Sequence, residues 1–156
     1  MTQSFELSTL INAPAPVVWD SLVCTGKMKV WMGEPEMEIG VETDWTVGRP
    51  MVVSGFHHSH FRNIGTVLEF KPMERLSYTH LSSLSRLPDD PVNFTTLTFS
   101  LAPQGDATSL TLTAAGFPTV SIFKHLQFYW TGTLGVFKQF VERSYHRDAQ
   151  PERQAN

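Results

Sequence analysis

A single cysteine, Cys24, stands in the whole chain. That excludes an intrachain disulfide framework and any multi-cysteine metal site, and it fits a reducing, cytoplasmic setting. Positive charge is also scarce: twelve Lys and Arg against fifteen Asp and Glu leave a formal net charge of -3. No Lys/Arg cluster offsets that balance locally, so a nucleic-acid grip dominated by phosphate contacts is not expected. No apolar run reaches the roughly 18 residues that a membrane-spanning helix needs. No basic start followed by an apolar stretch marks a secretory leader. Neither Gly-x-Ser-x-Gly nor His-Glu-x-x-His occurs, which removes two familiar signatures of hydrolytic catalysis. Internal repeats and linkers are lacking too.

What remains is an ordinary globular composition. The chain has 156 residues, 41% of them hydrophobic, enough for one domain with a substantial core. Residues 1–147 read as that domain, and 148–156 as a disordered polar tail.

The stretch from Ser121 to about Arg147 carries the clearest helical period. Leu126, Trp130, Thr133, Leu134, Phe137, Phe140, Val141 and Ser144 fall on one stripe. A face this rich in large rings requires a cover, and the chain before it reads mostly as strands. Phe5 to Ile11 alternates, as do Arg75 to Leu81, Thr95 to Ala102 and Thr108 to Ala115. Met51 to Phe56 and Asn63 to Lys71 read as extended. Glu36 to Ile39 and Thr43 to Val47 read as a hairpin turned at Gly40, and His57 to His60 as a polar loop. After the first strand, Pro14 and Pro16 suit a first helical turn, with Asn12 or Ala13 as its cap. Val17 to Leu22 suits one short helix. Thr25 to Trp31 suits a second, with Val30 and Trp31 inward. The prediction is an α+β domain in which a curved antiparallel sheet of about six to seven strands wraps a long C-terminal helix.

Several local patterns occur in a telling order. They are Ile11-Asn12-Ala13-Pro14-Ala15-Pro16-Val17-Val18-Trp19, Val30-Trp31 followed by Gly33, and Trp45-Thr46-Val47-Gly48-Arg49-Pro50. Gly65-Thr66-Val67-Leu68-Glu69-Phe70 then runs into Pro72-Met73-Glu74-Arg75-Leu76-Ser77-Tyr78-Thr79, and Trp130, Leu134 and Phe137 close the series. Together they resemble the START-like helix-grip (SRPBCC) superfamily. Within it, they look closest to the branch named after the C-terminal domain of the activator of Hsp90 ATPase. Two positions depart from that branch: Tyr129 stands where Gly often precedes the helix Trp, and Ala114 where a His or Glu often precedes the Gly-Phe pair.

The resemblance implies an apolar cavity between sheet and helix. Its expected lining is Trp31 and Met32 at the mouth, then Trp45, Met51, Phe56, Tyr78, His80, Leu97, Phe99, Phe117, Trp130, Leu134 and Phe137. The alternative is that these residues simply fill the core. Tyr78 and His80 share a strand face with Leu76, so an inward face would leave two buried polar groups seeking a ligand oxygen, Thr133 or a water. The expected function is binding of an apolar, aromatic or lipid-like small molecule, with no cofactor. Acid–base chemistry by Tyr78, His80 and Glu38 is the enzymatic alternative, and a stress-response role on a chaperone is another. An Hsp90-type partner is not expected, because one domain uses up the chain. His57, His58 and His60 lack the spacing of a closed metal site, and only His58 and His60 would converge. Phe128, opposite the apolar stripe and near Gly132 and Gly135, offers a surface for a neighbouring element or a second subunit.

Overall fold

The computed structural model describes residues 3–148. The polar tail expected from residue 148 lies outside the described residues, except that Asp148 itself ends the final helix. The order is β1 (Ser4–Ile11), α1 (Ala15–Val23), α2 (Thr25–Trp31), β2 (Gly40–Glu42), β3 (Pro50–His57), β4 (Ser59–Lys71), β5 (Arg75–Ser82), β6 (Thr95–Gln104), β7 (Ala107–Ala115) and α3 (Val120–Asp148). All seven strands form one sheet in the order β1-β7-β6-β5-β4-β3-β2, and every pairing is antiparallel. The two short helices carry the chain from one edge, β1, to the other, β2.

Strand register sets the inner face. Phe5 lies opposite Ala114, Ala114 opposite Leu97, and Leu97 opposite Tyr78. Side chains directly opposite one another share a face, so one row runs across four strands. Tyr78 in turn faces Val67 on β4. Between Val67 and Glu69 the register shifts by one residue. This bulge at Leu68 lets both Val67 and Phe70 turn toward the core, while Leu68 stays exposed.

Close approach of β4 and β5 explains one glycine. A Cβ on Gly65 would sit 1.7 Å from the carbonyl oxygen of Thr79. Backbone cannot yield as a side-chain tip can. Gly65→Ala is therefore expected to destabilise the fold by about 1–3 kcal/mol, read as a lower urea midpoint; a neutral change would show that β4 slides freely past β5.

Helix α3 buries Leu126, Trp130, Thr133, Leu134, Phe137 and Val141, with Phe140 and Ser144 half-buried at the margin of the predicted stripe. Its C-terminal half is pinned to the end of β1. Lys138 Nζ donates to the Leu10 carbonyl at 2.6 Å, and Glu142 Oε2 accepts from the Asn12 amide at 2.8 Å. Lys138 and Glu142 also pair with each other at 2.7 Å.

Four local expectations are corrected. Residues 36–47 form no hairpin: Pro35–Met37 is a 3-10 turn, and the short β2 pairs with β3 instead. Val30 is exposed, and Met28 joins Trp31 on the buried side of α2. Pro14, not Asn12 or Ala13, caps α1. His57 to His60 is the tip of the β3–β4 hairpin, turned at His58 with φ 65 and His57 paired to Ser59. There the His57 and His58 rings approach to 4.5 Å, while His60 meets Phe56.

Candidate functional site

Two strips of polar side chains face each other across the space between sheet and α3. The sheet contributes Tyr78 and His80 from β5 and Asn63 from β4. Asn63 lies opposite Ser82 in register, so it shares the inner face with Tyr78 and His80. From α3 come His125, Tyr129 and Thr133, spaced by four and therefore stacked along one side of the helix. His80 senses the charge of His125, and Tyr78 that of Tyr129.

Burial falls off along this strip. Leu76 is fully buried and Tyr78 nearly so, while His80 on the same face is half-buried. On β4 the series runs from buried Val67 to half-buried Asn63 and Phe61. Across from them Tyr129 is half-buried and His125 exposed. Sheet and helix thus close less tightly over one another beside the β3–β5 strands and the N-terminal half of α3.

Deeper in, aromatic rings touch in an unbroken series. It runs from Trp19 to Phe70, Trp45, Tyr78, Phe99, Trp130, Trp31 and Phe137, with centroid separations from 4.8 to 6.3 Å. The indole N–H groups are satisfied locally. Trp31 donates to the Ser21 carbonyl at 2.9 Å and Trp45 to the Val23 carbonyl at 2.7 Å, both at the end of α1. Tyr129 donates to the Met32 carbonyl at 2.6 Å, tying α3 to the end of α2.

The inner sheet groups differ from these. Among the described residues neither Tyr78 nor His80 has a hydrogen-bond partner, Thr133 included. Burial raises the Tyr78 phenol above its ordinary value, with a smaller contribution from Tyr129. Burial also lowers His80 to about 4, helped by His125. The Tyr129 phenol is raised to about 12 by burial, partly opposed by its bond to Thr133. At neutral pH all three are uncharged. The Asn63 Oδ1 atom is buried with no partner.

Of the residues predicted to line a cavity, Trp31, Met32, Met51, Tyr78, Leu97, Phe99, Phe117, Trp130, Leu134 and Phe137 are buried together. Trp45 and His80 are half-buried. Phe117 stands apart from the polar strip, packed with Phe5 and Phe123 near the start of α3. Phe56 is 44% exposed: Gly55 takes the inward position beside Met37 and Ile39, so Phe56 points the other way. Glu38 is exposed beyond the 3-10 turn. Asn63, His125 and Tyr129 were not among the predicted lining. Alternation from Val67 back through Gly65 reaches Asn63, but the bulge at Leu68 hides that parity in the sequence. Two surface hollows of about 430 and 260 Å³ lie elsewhere, one along Gln139, Glu142, Arg143 and His146, the other around Asp44 and Arg49. No group of three metal-ligating side chains converges among the described residues, and no described helix is long and apolar enough to cross a membrane.

Residues 12–142 match the family model described as Activator of Hsp90 ATPase homolog 1-like protein. No curated protein matches the chain. Among solved structures, protein CV1439 from Chromobacterium violaceum is similar with a TM-score of 0.77 and 22% identity, over 89% of this chain and 96% of that one. ChR145 from Cytophaga hutchinsonii is similar with a TM-score of 0.75 and 29% identity, over 92% and 97%. DynU16, from the dynemicin biosynthetic locus, has a TM-score of 0.69 and 18% identity, over 89% of this chain and 47% of that one.

Proposed function

The chain belongs to the family of Activator of Hsp90 ATPase homolog 1-like proteins, and from that premise we propose that it binds a small, mostly apolar molecule at the less tightly closed end of the space between the sheet and α3. One observation carries this reading. Tyr78, His80 and Asn63 lie on an inner face built mostly of aromatic and aliphatic side chains, and the protein supplies none of them with a side-chain partner. The polar atoms of Tyr78 and His80 reach solvent where sheet and helix close less tightly, and beside them the Asn63 Oδ1 atom is buried without a partner. A buried acceptor left unpaired costs about 1–3 kcal/mol, and a bound molecule with a polar edge recovers that cost. The biosynthetic setting of DynU16 is in keeping with a small-molecule role.

Proton transfer by the same residues is the weaker reading. A base works best with a pKa near the working pH, and His80 lies near 4 while Tyr78 is raised. Neither is tuned to exchange a proton at neutral pH.

The test is titration with a neutral naphthalene-based fluorophore, followed by quenching of the tryptophans. Trp45 touches the Tyr78 ring, and Trp130 meets Phe99, which stacks on Tyr78, so saturable quenching at one molecule per chain is expected. A linear response without saturation would remove the proposal.

A further inference from the structure

We infer that the molecule held in this space is uncharged and presents a hydroxyl group, of the phenol or alcohol class, to Asn63. This rests on the binding site proposed above and names the chemistry of its occupant. Asn63 Oδ1 is a buried acceptor without a partner. Only a donor satisfies it. An ether, ketone or carboxylate would place a second acceptor against the first and leave both unpaired.

The surroundings narrow the donor further. Asn63 lies opposite Ser82, two residues from His80 on β5, a diagonal relation that sets the two backbones about 7–8 Å apart. His80 is uncharged at neutral pH, so its ring offers one N–H and one free nitrogen. Tyr78, also neutral, offers a hydroxyl. A ligand hydroxyl can donate to Asn63 Oδ1 and accept from His80 or Tyr78 at once. An amide N–H can donate, but its nitrogen cannot accept in return.

Charge is excluded by what faces the site. The inner positions of β4 and β5 from Phe61 to Val67 and from Leu76 to Ser82 carry no Asp, Glu, Lys or Arg. Nor do the α3 positions that face them, His125, Tyr129 and Thr133. An ammonium could donate to Asn63, yet it would lose its water without gaining a carboxylate, which burial penalises. A carboxylate would find no cation.

The experiment compares four probes built on one ring system at neutral pH: 2-naphthol, 2-methoxynaphthalene, 2-naphthoate and 2-naphthylmethylammonium, each by tryptophan quenching. The naphthol is expected to bind at least about tenfold tighter than its methyl ether, the discrimination typical of a site built to pair a donor. The two ions should bind more weakly than the naphthol. In Asn63→Leu, the advantage of naphthol over ether should fall to near unity. Equal binding of naphthol and ether by the unaltered protein overturns the inference while leaving an apolar site standing. Tighter binding of either ion overturns it as well. Binding of none of the four overturns the site itself. The comparison within the unaltered protein decides the matter even if Asn63→Leu fails to fold, and retention of the naphthol advantage in a folded Asn63→Leu protein also counts against Asn63.

Discussion

Replacing Phe137 with alanine is expected to cost about 3–5 kcal/mol of folding stability. The ring is fully buried, and it meets Trp31 edge-on at 4.8 Å. It therefore joins α3 to α2 at the end of the aromatic series that crosses the sheet. Removing it leaves a hollow whose walls are other large rings, which cannot collapse inward without losing their own contacts. Small domains hold only about 5–15 kcal/mol in total, so the variant should be marginal at 37 °C. Urea denaturation checks this: the midpoint should fall with the slope unchanged. Phe56→Ala is the internal comparison. Both residues were predicted to line one cavity, but Phe56 is 44% exposed, and its loss should fall within about 0.5–1 kcal/mol. A Phe137→Ala cost near that of Phe56→Ala would show that α3 is held by its polar pins rather than by its rings.

That pair also shows where the sequence was legible. Phe137 belongs to an uninterrupted period of 3.6, and 29 residues of helix give the period many repeats. A stripe so long has one interpretation. The strands β5, β6 and β7 were equally plain, because large apolar or aromatic residues alternate there with Ser and Thr through the middle of each strand. Phe56 was not plain. It follows three successive buried residues, Met51, Val52 and Val53, so no alternation says which way it points. The inward place beside it is taken by Gly55, against the Met37 backbone and the Phe61 ring. A residue without a side chain leaves no hydrophobic signal.

The segment around Trp45 failed for a different reason. Thr43 to Val47 has the residue types of a strand, yet Thr43 Oγ1 accepts from the Trp45 amide and Asp44 Oδ1 from the Thr46 amide, both at 2.9 Å. Such short-range bonds compete with a strand ladder. They hold Trp45 at φ 57, a conformation that a large residue rarely adopts, and the indole's contacts with Val23, Phe70 and Tyr78 compensate for it. Tertiary partners from three distant elements decide that conformation, and none is visible locally. The same holds for the candidate site. Tyr78 and His80 were legible as polar residues on a core-facing strand. Asn63 was not, because its face depends on a bulge five residues later, and His125 and Tyr129 take part only through the angle at which α3 crosses the sheet.

Acidification from pH 7 to pH 4 is expected to remove up to about 3 kcal/mol of stability through His80 alone. In the folded protein the ring's pKa is lowered from 6.5 to about 4, first by burial and then by His125. The unfolded chain takes up this proton near pH 6.5 and the folded chain only near pH 4. Between those values the unfolded state binds more protons, so stability falls as the pH falls. Above pH 6.5 the contribution is complete, and below pH 4 it is gone. At about 1.4 kcal/mol for each pH unit, the gap gives the figure above; partial exposure of the ring makes it an upper bound. The other titratable groups facing His80 are Tyr78, Tyr129 and His125. Both phenols are raised by burial and keep their protons throughout this window. Urea midpoints measured from pH 7 to pH 4 should therefore drop more steeply in the unaltered protein than in His80→Gln, which keeps a polar side chain but cannot titrate. Parallel curves for the two would place the acid response elsewhere and would mean that His80 reaches water freely. The site would then lack the dry wall on which selection of an uncharged ligand depends.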